Sequence, residues 1–239
     1  VDNGVPPELS LLLGLLVSTG FGFLNGLLIT SLKLPPFIVT LGTLNIAFAL
    51  TQIYTQAQTI TISDDNSILR LFGKDISIGG LTIGYGTGIL LTIGLYVFMT
   101  WALGNTAPGR HLYAVGNNPE AARLTGIPTQ RVLLIVYTLA GFMYGIAGWL
   151  SVSRYSIGNP NAGQTENLDS ITAVVLGGIS LFGGRGILMG AIIGALISGV
   201  FRSGLTLMGA RSEVQILITG ILVILAVAVD QLSKGKNSR

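Results

Sequence analysis

The 239-residue sequence has no cysteine, a single histidine and few charged residues. The absence of cysteine excludes a disulfide framework, thiolate chemistry and a cysteine-ligated metal. One histidine, His111, is too few for a histidine metal site, so neither a metal ion nor another cofactor is expected. Charged residues make up only 10% of the chain, whereas an ordinary soluble domain has roughly 25%. This shortage of charge indicates an integral membrane protein.

Apolar residues and glycine are abundant instead. Hydrophobic residues account for 50% of the sequence, the mean hydropathy is +0.71, and 34 residues are glycine. Glycine at this frequency suits the close packing of helices in lipid. A helix needs about 20 mostly apolar residues to cross the hydrocarbon core of a bilayer. We therefore predict an all-α fold, a polytopic transmembrane helix bundle with about seven membrane segments, at 9–32, 37–54, 81–103, 132–150, 170–182, 187–201 and 214–229.

The polar segment 55–80 separates the second and third apolar segments. Its alternating residues, in TITIS and DISIGG, favour a small hairpin. Asp64, Asp65 and Asp75 raise the question of a calcium site, but the glycine and the final glutamate of a calcium loop are missing. We interpret the segment as a solvated loop.

The longest polar run, 105–131, contains the signals of a short helix at its centre. Asn118 is a good N-cap residue, Pro119 suits the first helical position, and Gly126 can end the helix. These signals predict a helix of about two turns from Pro119 to Thr125, which is too short to be stable alone in water. Its apolar residues must therefore pack against the parent protein or against a partner.

The residues Glu120, Ala121 and Ala122, followed after three positions by Gly126, resemble the EAA-x3-G signature of bacterial ABC importer permeases. In that family the signature lies in a cytoplasmic loop and marks the helix that docks on the ATPase. The family pattern continues with I-x-L-P, where this chain has the sequence VYTL at 136–139. The resemblance implies that the following residues form the ATPase-coupling site: Asn118, Pro119, Glu120, Ala121, Ala122, Leu124 and Gly126.

Longer stretches carry a more specific resemblance. They are PPFIVTLGT at 35–43, APGRHLYAVGNNPEAARLTGI at 107–127, NPNAGQTENLDSITAVVLGGISLFGGRG at 159–186, and a late apolar span that ends in Asp230. In this order they are similar to the ribose, xylose, galactose and fructose group of sugar ABC permeases, across nearly the whole chain. Family members carry an additional N-terminal part, so the resemblance implies an N-terminally truncated permease.

The resemblance also implies a function and a set of partners. Residues 1–239 would form a single transmembrane permease domain, without catalytic residues, that provides the path for a monosaccharide across the bacterial inner membrane. The implied partners are separate ABC ATPase subunits, a second permease subunit, a periplasmic sugar-binding protein and membrane lipid. No nucleic acid is expected among them.

The fifth apolar segment, 170–182, has only about 13 residues, too few for a simple crossing at 1.5 Å per residue. A broken helix of this kind is tolerated at membrane depth where it is buried in protein or lines a cavity. The alternative is a tight hairpin of two tilted helices. We predict a short or broken helix near 170–186, and we assign to the translocation path Asn25, Asn45, Asp169, Gly177, Gly178, Gly183 and Gly184. For the asparagines, a hydrogen bond to a neighbouring helix is the alternative role.

Lysine and arginine set the expected orientation. If all seven segments cross, most basic residues fall on one side, which should be cytoplasmic: Lys33, the loop 105–131, Arg185 and the C-terminal tail. The loops 55–80 and 151–169 are then periplasmic. Arg202 and Arg211 fit this arrangement poorly. A re-entrant 170–182 would place the basic tail outside, so the crossing arrangement is preferred.

Two other classes of function are compatible with a membrane protein. A self-sufficient secondary transporter or passive channel is the alternative. Ion coupling would need ionisable residues within the spans, and the seven apolar segments contain no aspartate, glutamate, lysine, arginine or histidine. Their absence argues against ion coupling but not against a passive pore. A membrane-embedded hydrolase would need a nucleophile, a base and an orienting group, or a metal cluster. One histidine in a loop and no cysteine leave little material for either. No Walker A pattern occurs, which argues against nucleotide binding by this chain.

Overall fold

The computed structural model describes residues 6–62, 68–78, 81–164, 166–181 and 183–236. In this part of the chain the α-helices are α1 (Pro7–Ser31), α2 (Pro36–Thr55), α3 (Gly86–Asn105), α4 (Ala107–Asn117), α5 (Pro119–Leu124), α6 (Thr129–Tyr155), α7 (Glu166–Leu176), α8 (Leu188–Leu207) and α9 (Ser212–Lys236). The strands are β1 (Ile60–Thr61), β2 (Ile76–Ile78), β3 (Leu81–Ile83) and β4 (Ile157–Gly158), and a 3-10 helix spans Ile68–Gly73.

Five helices in the described ranges, α1, α2, α3, α6 and α8, are long and apolar enough to cross a membrane. The 25-residue helix α9 is also apolar over Ser212–Leu222. Pro7 and Pro36 begin α1 and α2, at the position where a missing N–H removes no helical hydrogen bond. The prediction of an all-α polytopic membrane bundle is confirmed.

The polar segment 55–80 and the helix after it require two corrections. β1 and β2 do not pair with each other: β1 pairs with β4, and β2 pairs antiparallel with β3. The third membrane helix therefore begins at Gly86 and not at Leu81, because residues 81–83 form a strand. The calcium alternative falls largely on Asp64 and Asp65, which lie outside the described residues.

Two further differences concern the second half of the chain. α7 has 11 residues and ends at Leu176, so the predicted short helix near 170–186 exists but starts and stops earlier. α8 continues to Leu207, past the predicted end at Phe201, and so includes Arg202. The membrane helices are therefore not free of charged residues: α8 includes Arg202, and α6 includes Arg131 and Arg154 near its two ends.

By contact the chain divides into two compact units, the first of which comprises Val1–Leu95 and Pro128–Ala162. Its centre is the antiparallel pair of α1 and α6, whose backbones meet at two glycines. A Cβ atom on Gly141 would lie 2.6 Å from the carbonyl oxygen of Ser18 and 2.8 Å from the Cα of Gly22. The Ser18 hydroxyl donates a hydrogen bond to the Gly141 carbonyl oxygen. Only residues without a side chain permit this approach of two helices.

The C-terminal end of α6 is fixed by aromatic and cationic contacts within the same unit. The indole N–H of Trp149 donates to the carbonyl oxygen of Ile68 over 3.1 Å, and its ring packs edge-on against Phe72 at a centroid distance of 4.6 Å. The Arg154 guanidinium lies 5.1 Å from the centre of the Tyr85 ring, within range of a cation–π contact. These contacts place the C-terminal end of α6 against the 3-10 helix and against Tyr85, which follows β3.

The second unit comprises Tyr96–Ile127 and Gly163–Arg239. Here α7 runs antiparallel to α8, because Gly177 lies against Gly190 while Ala173 lies against Gly194. A Cβ atom on Gly194 would lie 2.7 Å from the Gly177 amide nitrogen. Gly190 and Gly194 thus form the packing face that their spacing suggests, whereas Gly199 faces open space.

Large apolar side chains are exposed on most of the membrane helices. Phe37 is 72% exposed, Val200 is 72% exposed and Leu207 is 88% exposed. In water such a continuous apolar surface would drive association. In a bilayer it is the surface that lipid covers, while the backbone hydrogen bonds are satisfied inside each helix.

Candidate functional site

The short helix α5 has the N-terminal cap that its sequence predicts. The Asn118 side-chain oxygen accepts hydrogen bonds from the amides of Glu120 (3.1 Å) and Ala121 (3.0 Å). Pro119 occupies the first turn, where its missing N–H leaves nothing unpaired. Glu120 adds a negative charge at the positive end of the helix dipole. Sequence-local interactions therefore determine where α5 begins.

The end of α5 is closed by glycine, as predicted. The amide of Gly126 donates to the carbonyl oxygen of Arg123 (3.0 Å), and the amide of Ile127 donates to that of Ala122 (3.1 Å). This pair of bonds is the Schellman motif, which requires a left-handed residue at its centre. Gly126 supplies it with φ of +87°. The helix itself ends at Leu124, and Thr125 is its C-cap.

The two faces of α5 differ sharply in exposure. Ala122 is 5% exposed and is part of the protein core, whereas Leu124 is 81% exposed. Glu120 and Ala121 are exposed as well. α5 thus anchors itself through one small residue and presents the remaining predicted coupling residues outward.

α4, the helix that precedes α5, was not predicted from the sequence. Thr106 caps it by accepting a hydrogen bond from the amide of Gly109 over 3.3 Å, and Pro108 lies in its first turn. A threonine followed by proline was the available signal. Val115, in the last turns of α4, is 3% exposed. α4 is therefore a packed element of the 105–131 segment.

The loop 183–186 lies directly against the end of α4. A Cβ atom on Gly183 would lie 2.6 Å from the Gly116 carbonyl oxygen, and one on Gly184 would lie 2.5 Å from the Cα of Asn117. The Tyr113 hydroxyl donates to the carbonyl oxygen of Gly186 over 3.1 Å. Gly183 and Gly184 both have positive φ, at +90° and +71°. Two predicted path residues are thus in contact with the segment that carries the predicted coupling helix.

The other two glycines assigned to the path behave differently from each other. Gly177 is in backbone contact with Gly190 at the crossing of α7 and α8. Gly178 has φ of +75°, and a Cβ atom there would meet nothing within 4 Å. Gly177 is needed for close approach, whereas Gly178 is needed for chain direction after α7.

Asp169, near the start of α7, forms an ion pair with Arg202 of α8. The distance from the Arg202 guanidinium nitrogen to the carboxylate oxygen is 2.6 Å, and the Asp169 side chain is 19% exposed. Arg202 fitted the expected orientation poorly as a lone cation, and the pairing with Asp169 supplies its counter-charge. The two residues are far apart in sequence, so periodicity gave no signal for this contact.

The two asparagines assigned to the path lie in the first unit, whereas the residues of α7 and its loop belong to the second. The Thr43 hydroxyl donates to the side-chain oxygen of Asn25 over 2.8 Å, which links α2 to α1. The side-chain amide of Asn45 donates to the Leu41 carbonyl oxygen of its own helix over 2.9 Å. The contact made by Asn25 is the interhelical bond that was its alternative role. Across the described ranges, no group of three or more histidine, aspartate or glutamate side chains could hold a metal ion.

The apolar helices of spanning length define a polytopic membrane protein. The chain belongs to the family described as branched-chain amino acid transport system / permease component, whose model matches residues 1–227. It is 47% identical over 232 residues to the fructose import permease protein FrcC of Rhizobium meliloti, an alignment that covers 95% of this chain and 64% of the relative.

Two further relatives extend the comparison. The ribose import permease protein RbsC of Bacillus subtilis (strain 168) is 40% identical over 235 residues, covering 97% of this chain and 70% of the relative. The galactose/methyl galactoside import permease protein MglC of Escherichia coli (strain K12) is 34% identical over 230 residues, covering 95% and 68%. The resemblance to sugar permeases is confirmed, and the chain spans about two-thirds of the length of these curated relatives. No solved structure matches the chain.

Proposed function

We propose that this chain is the membrane-spanning permease of an ABC importer and carries a pentose or hexose across the bacterial inner membrane. The observation that carries the proposal is the similarity to fructose and ribose import permeases, at 47% and 40% identity, over nearly the whole chain. The five apolar helices of spanning length agree with it. In this function the chain performs no covalent chemistry, and a separate ATPase chain hydrolyses ATP.

In this proposal α5 is the coupling helix on which the ATPase docks. Support comes from its exposed face, since Leu124 is 81% exposed and the neighbouring Glu120 and Ala121 are also accessible. Leu124 would fill an apolar recess of the ATPase, and Glu120 would meet a basic group there. Asn118 and Gly126 act indirectly, because they hold the helix ends through backbone hydrogen bonds.

Movement of α5 would reach the membrane helices through α4. α4 precedes α5 with only Asn118 between them, so the two helices share a cap residue. The end of α4 touches Gly183 and Gly184, and the loop 183–186 connects α7 to α8. A displacement of α5 toward or away from the membrane would therefore push or release the α7–α8 hairpin. We assign the loop 183–186 to this transmission.

The same contacts favour the crossing arrangement over a re-entrant one. The loop 183–186 shares a side with the segment 105–131, because it lies on α4. Asp169 lies at the other end of α7, opposite Arg202 near the end of α8. The tight connection from α8 to α9, in which the Gln215 side chain donates to Thr206 and Ala210, then sends α9 back toward the first side. The segment 105–131 and the C-terminus are thus both cytoplasmic in this proposal.

A full importer of this kind needs further subunits. We propose two permease subunits around one pathway, two ATPase chains at the α5 helices and a periplasmic protein that delivers the sugar. Within this assembly Asn45 and Asp169 remain assigned to the pathway. Asn25 and Gly177 act through helix contacts, and Gly178 acts through the direction of the chain after α7.

The proposal is tested by crosslinking from Ala121, which the absence of cysteine permits. Ala121→Cys is treated with a cleavable thiol-to-amine reagent in inside-out vesicles, and the captured chain is identified. Ala122→Cys is the matched control, because the same residue type one position along is buried. We expect capture of an ABC ATPase from position 121 and far less from position 122.

Two results would contradict the proposal. Capture of the permease alone would make α5 a self-packed connector and favour the passive-channel alternative. Labelling of Ala121→Cys only from the periplasmic side would show that the orientation is inverted.

A further inference from the structure

A cavity in the second unit is lined by the Asp169–Arg202 ion pair and by polar side chains of α9. It has a volume of about 250 Å³, slightly below the range of about 300–1,000 Å³ that is common for small-molecule sites. The polar lining residues come from three different helices, α7, α8 and α9: Asp169, Arg202, Ser212, Gln215 and Thr219. The cavity is therefore formed where three helices meet and is not a groove along a single helix.

The hydrogen-bonding groups in this cavity are mixed. The ion pair joins one carboxylate oxygen to one guanidinium nitrogen, and a guanidinium has five N–H donors in all. The Gln215 amide nitrogen is engaged with the Ala210 carbonyl oxygen (3.0 Å) and the Thr206 hydroxyl (3.3 Å). Its side-chain oxygen therefore remains as an acceptor. The hydroxyls of Ser212 and Thr219 both donate and accept.

This set suits an uncharged ligand with many hydroxyl groups. The carboxylate and guanidinium cancel, so the cavity offers no net charge to an anion or a cation. Hydroxyl groups of a sugar can donate to the carboxylate and accept from the guanidinium at the same time. Leu168 and Ile216 complete the lining with apolar surface, which suits the C–H faces of a sugar ring. An ionisable pair in a membrane helix bundle is in general a marker of a substrate path.

We propose that the cavity between α7, α8 and α9 is a monosaccharide subsite of the permease, with the Asp169–Arg202 pair as its recognition element. The inference rests on the proposed sugar import, and it assigns to that import a binding site of defined residues. A sugar would bridge the carboxylate and the guanidinium, with the side-chain oxygen of Gln215 as a further partner.

The test measures protection of one introduced cysteine in permeabilised membranes that contain the permease. Residues 1–239 contain no cysteine, so Thr219→Cys places their single thiol in the cavity, and Ser10→Cys places it in the apolar groove of the first unit as a matched control. A small neutral thiol reagent is added with ribose, fructose or galactose, and with glycine betaine at equal osmolarity. A sugar present at twice its dissociation constant slows labelling about threefold by occupancy alone. We expect this slowing at position 219 with at least one sugar, and none at position 10 or with betaine.

Variants of the ion pair separate recognition from structure. In the Thr219→Cys background, Asp169→Asn should remove the protection. The exchange Asp169→Arg with Arg202→Asp restores an ion pair but reverses the donor and the acceptor, so protection should remain weak while the amount of permease in the membrane recovers. Full protection in the exchange variant would assign the pair a structural role and overturn the subsite.

A transport assay with the unsubstituted permease, its ATPase and its binding protein distinguishes failure of the subsite proposal from failure of the proposed sugar import. Import of one of the three sugars without protection at position 219 overturns the subsite and leaves the proposed function intact. If no sugar is imported and no sugar protects position 219, both proposals are overturned. Slow labelling in vesicles of phosphatidylglycerol without sugar, and fast labelling in phosphatidylethanolamine, would identify a lipid glycerol headgroup as the occupant and also overturn the subsite.

Discussion

Two helix pairs in this chain are in backbone contact at glycine residues, but the helices of the two pairs differ in length. In the first unit, α1 and α6 are helices of 25 and 27 residues that meet at Gly22 and Gly141. In the second unit, α7 has 11 residues and meets the 20-residue α8 at Gly177 and Gly190. Both pairs bring backbones into contact, yet only the second pair has a partner too short to span a membrane.

The surroundings of the two contacts explain the difference. The α1–α6 contact lies within unbroken helices and is reinforced by the hydrogen bond from Ser18 to Gly141. α7 is followed by glycines with positive φ at 178, 183, 184 and 186, where backbone direction changes repeatedly. Close packing at glycine therefore occurs both in the continuous helix pair α1–α6 and in the α7–α8 hairpin, whose connecting loop changes direction at several glycines. The variants below separate these two uses.

The largest effect is expected from Gly22→Val in the α1–α6 pair. Its Cβ would collide with the Tyr137 carbonyl oxygen and would lie 2.8 Å from the Cα of Gly141. Overpacking a well-packed site costs about 1–3 kcal/mol and occasionally more, and a collision with backbone cannot be relieved by rotating a side chain. We expect loss of most folded permease, measured by size-exclusion chromatography and thermal unfolding in detergent.

Gly20→Val is the matched control, since a Cβ on Gly20 of the same helix meets nothing within 4 Å. Equal stability of the Gly20 and Gly22 variants would contradict the scaffold interpretation of α1 and α6.

The next effect is expected from Gly183→Leu combined with Gly184→Leu. Both side chains would collide with the backbone at the end of α4, and both positions have positive φ. The loop 183–186 must therefore move away from α4. We expect sugar uptake below about a tenth of the normal rate, which corresponds to a loss of about 1.4 kcal/mol or more, with the permease still present in the membrane. Gly178→Leu carries a similar φ but contacts nothing, and it should retain much more uptake. Normal uptake in the double variant would remove this loop from the transport mechanism.

Gly116→Ala disturbs the same contact between α4 and the loop 183–186 more mildly, from the side of α4. The added Cβ would lie 2.7 Å from the Gly184 amide nitrogen, without the strain of positive φ. We expect ATP hydrolysis to continue while fewer sugar molecules move per ATP, because α5 still docks but its movement reaches the loop poorly. The ratio is measured in proteoliposomes with the complete importer. Gly104→Ala, which meets nothing within 4 Å, should leave it unchanged, and an unchanged ratio in Gly116→Ala would exclude this route of transmission.

The smallest effect is expected from Gly126→Val at the end of α5. The side chain has open space, so the cost is only that of placing a non-glycine residue in the left-handed region, about 1–2 kcal/mol. We expect normal insertion, reduced uptake and weaker ATPase capture from Ala121→Cys. Gly126→Asn should lose less, because asparagine tolerates this conformation. Identical behaviour of both variants and the parent would show that the Schellman closure is dispensable.

The parts of the structure that sequence predicted are those fixed by neighbours along the chain. The caps of α5 depend on Asn118 and Gly126, which act on amides and carbonyls a few residues away. The membrane helices follow from runs of apolar residues, which require no knowledge of their partners. The spacing of Gly190 and Gly194 also favours a packing face, but it does not identify α7 as the partner helix.

The parts that sequence did not predict all join distant segments. Three contacts depend on the tertiary arrangement: the ion pair of Asp169 with Arg202, the packing of Gly184 on α4, and the pairing of β1 with β4. α4 is different, because its cap residue Thr106 and its first-turn Pro108 are neighbours in the sequence and give a local signal. The extension of α8 to Leu207 was missed because a charged residue was taken as the end of a span.

The length of α6 has a consequence for the membrane in which the protein works. Its 27 residues span about 40 Å, whereas the hydrocarbon core is about 30 Å thick. The excess must be accommodated by tilt or by protrusion. Because α1 is bound along α6 through glycine, the two helices must tilt together, and bilayer thickness therefore acts on the pair as one rigid body.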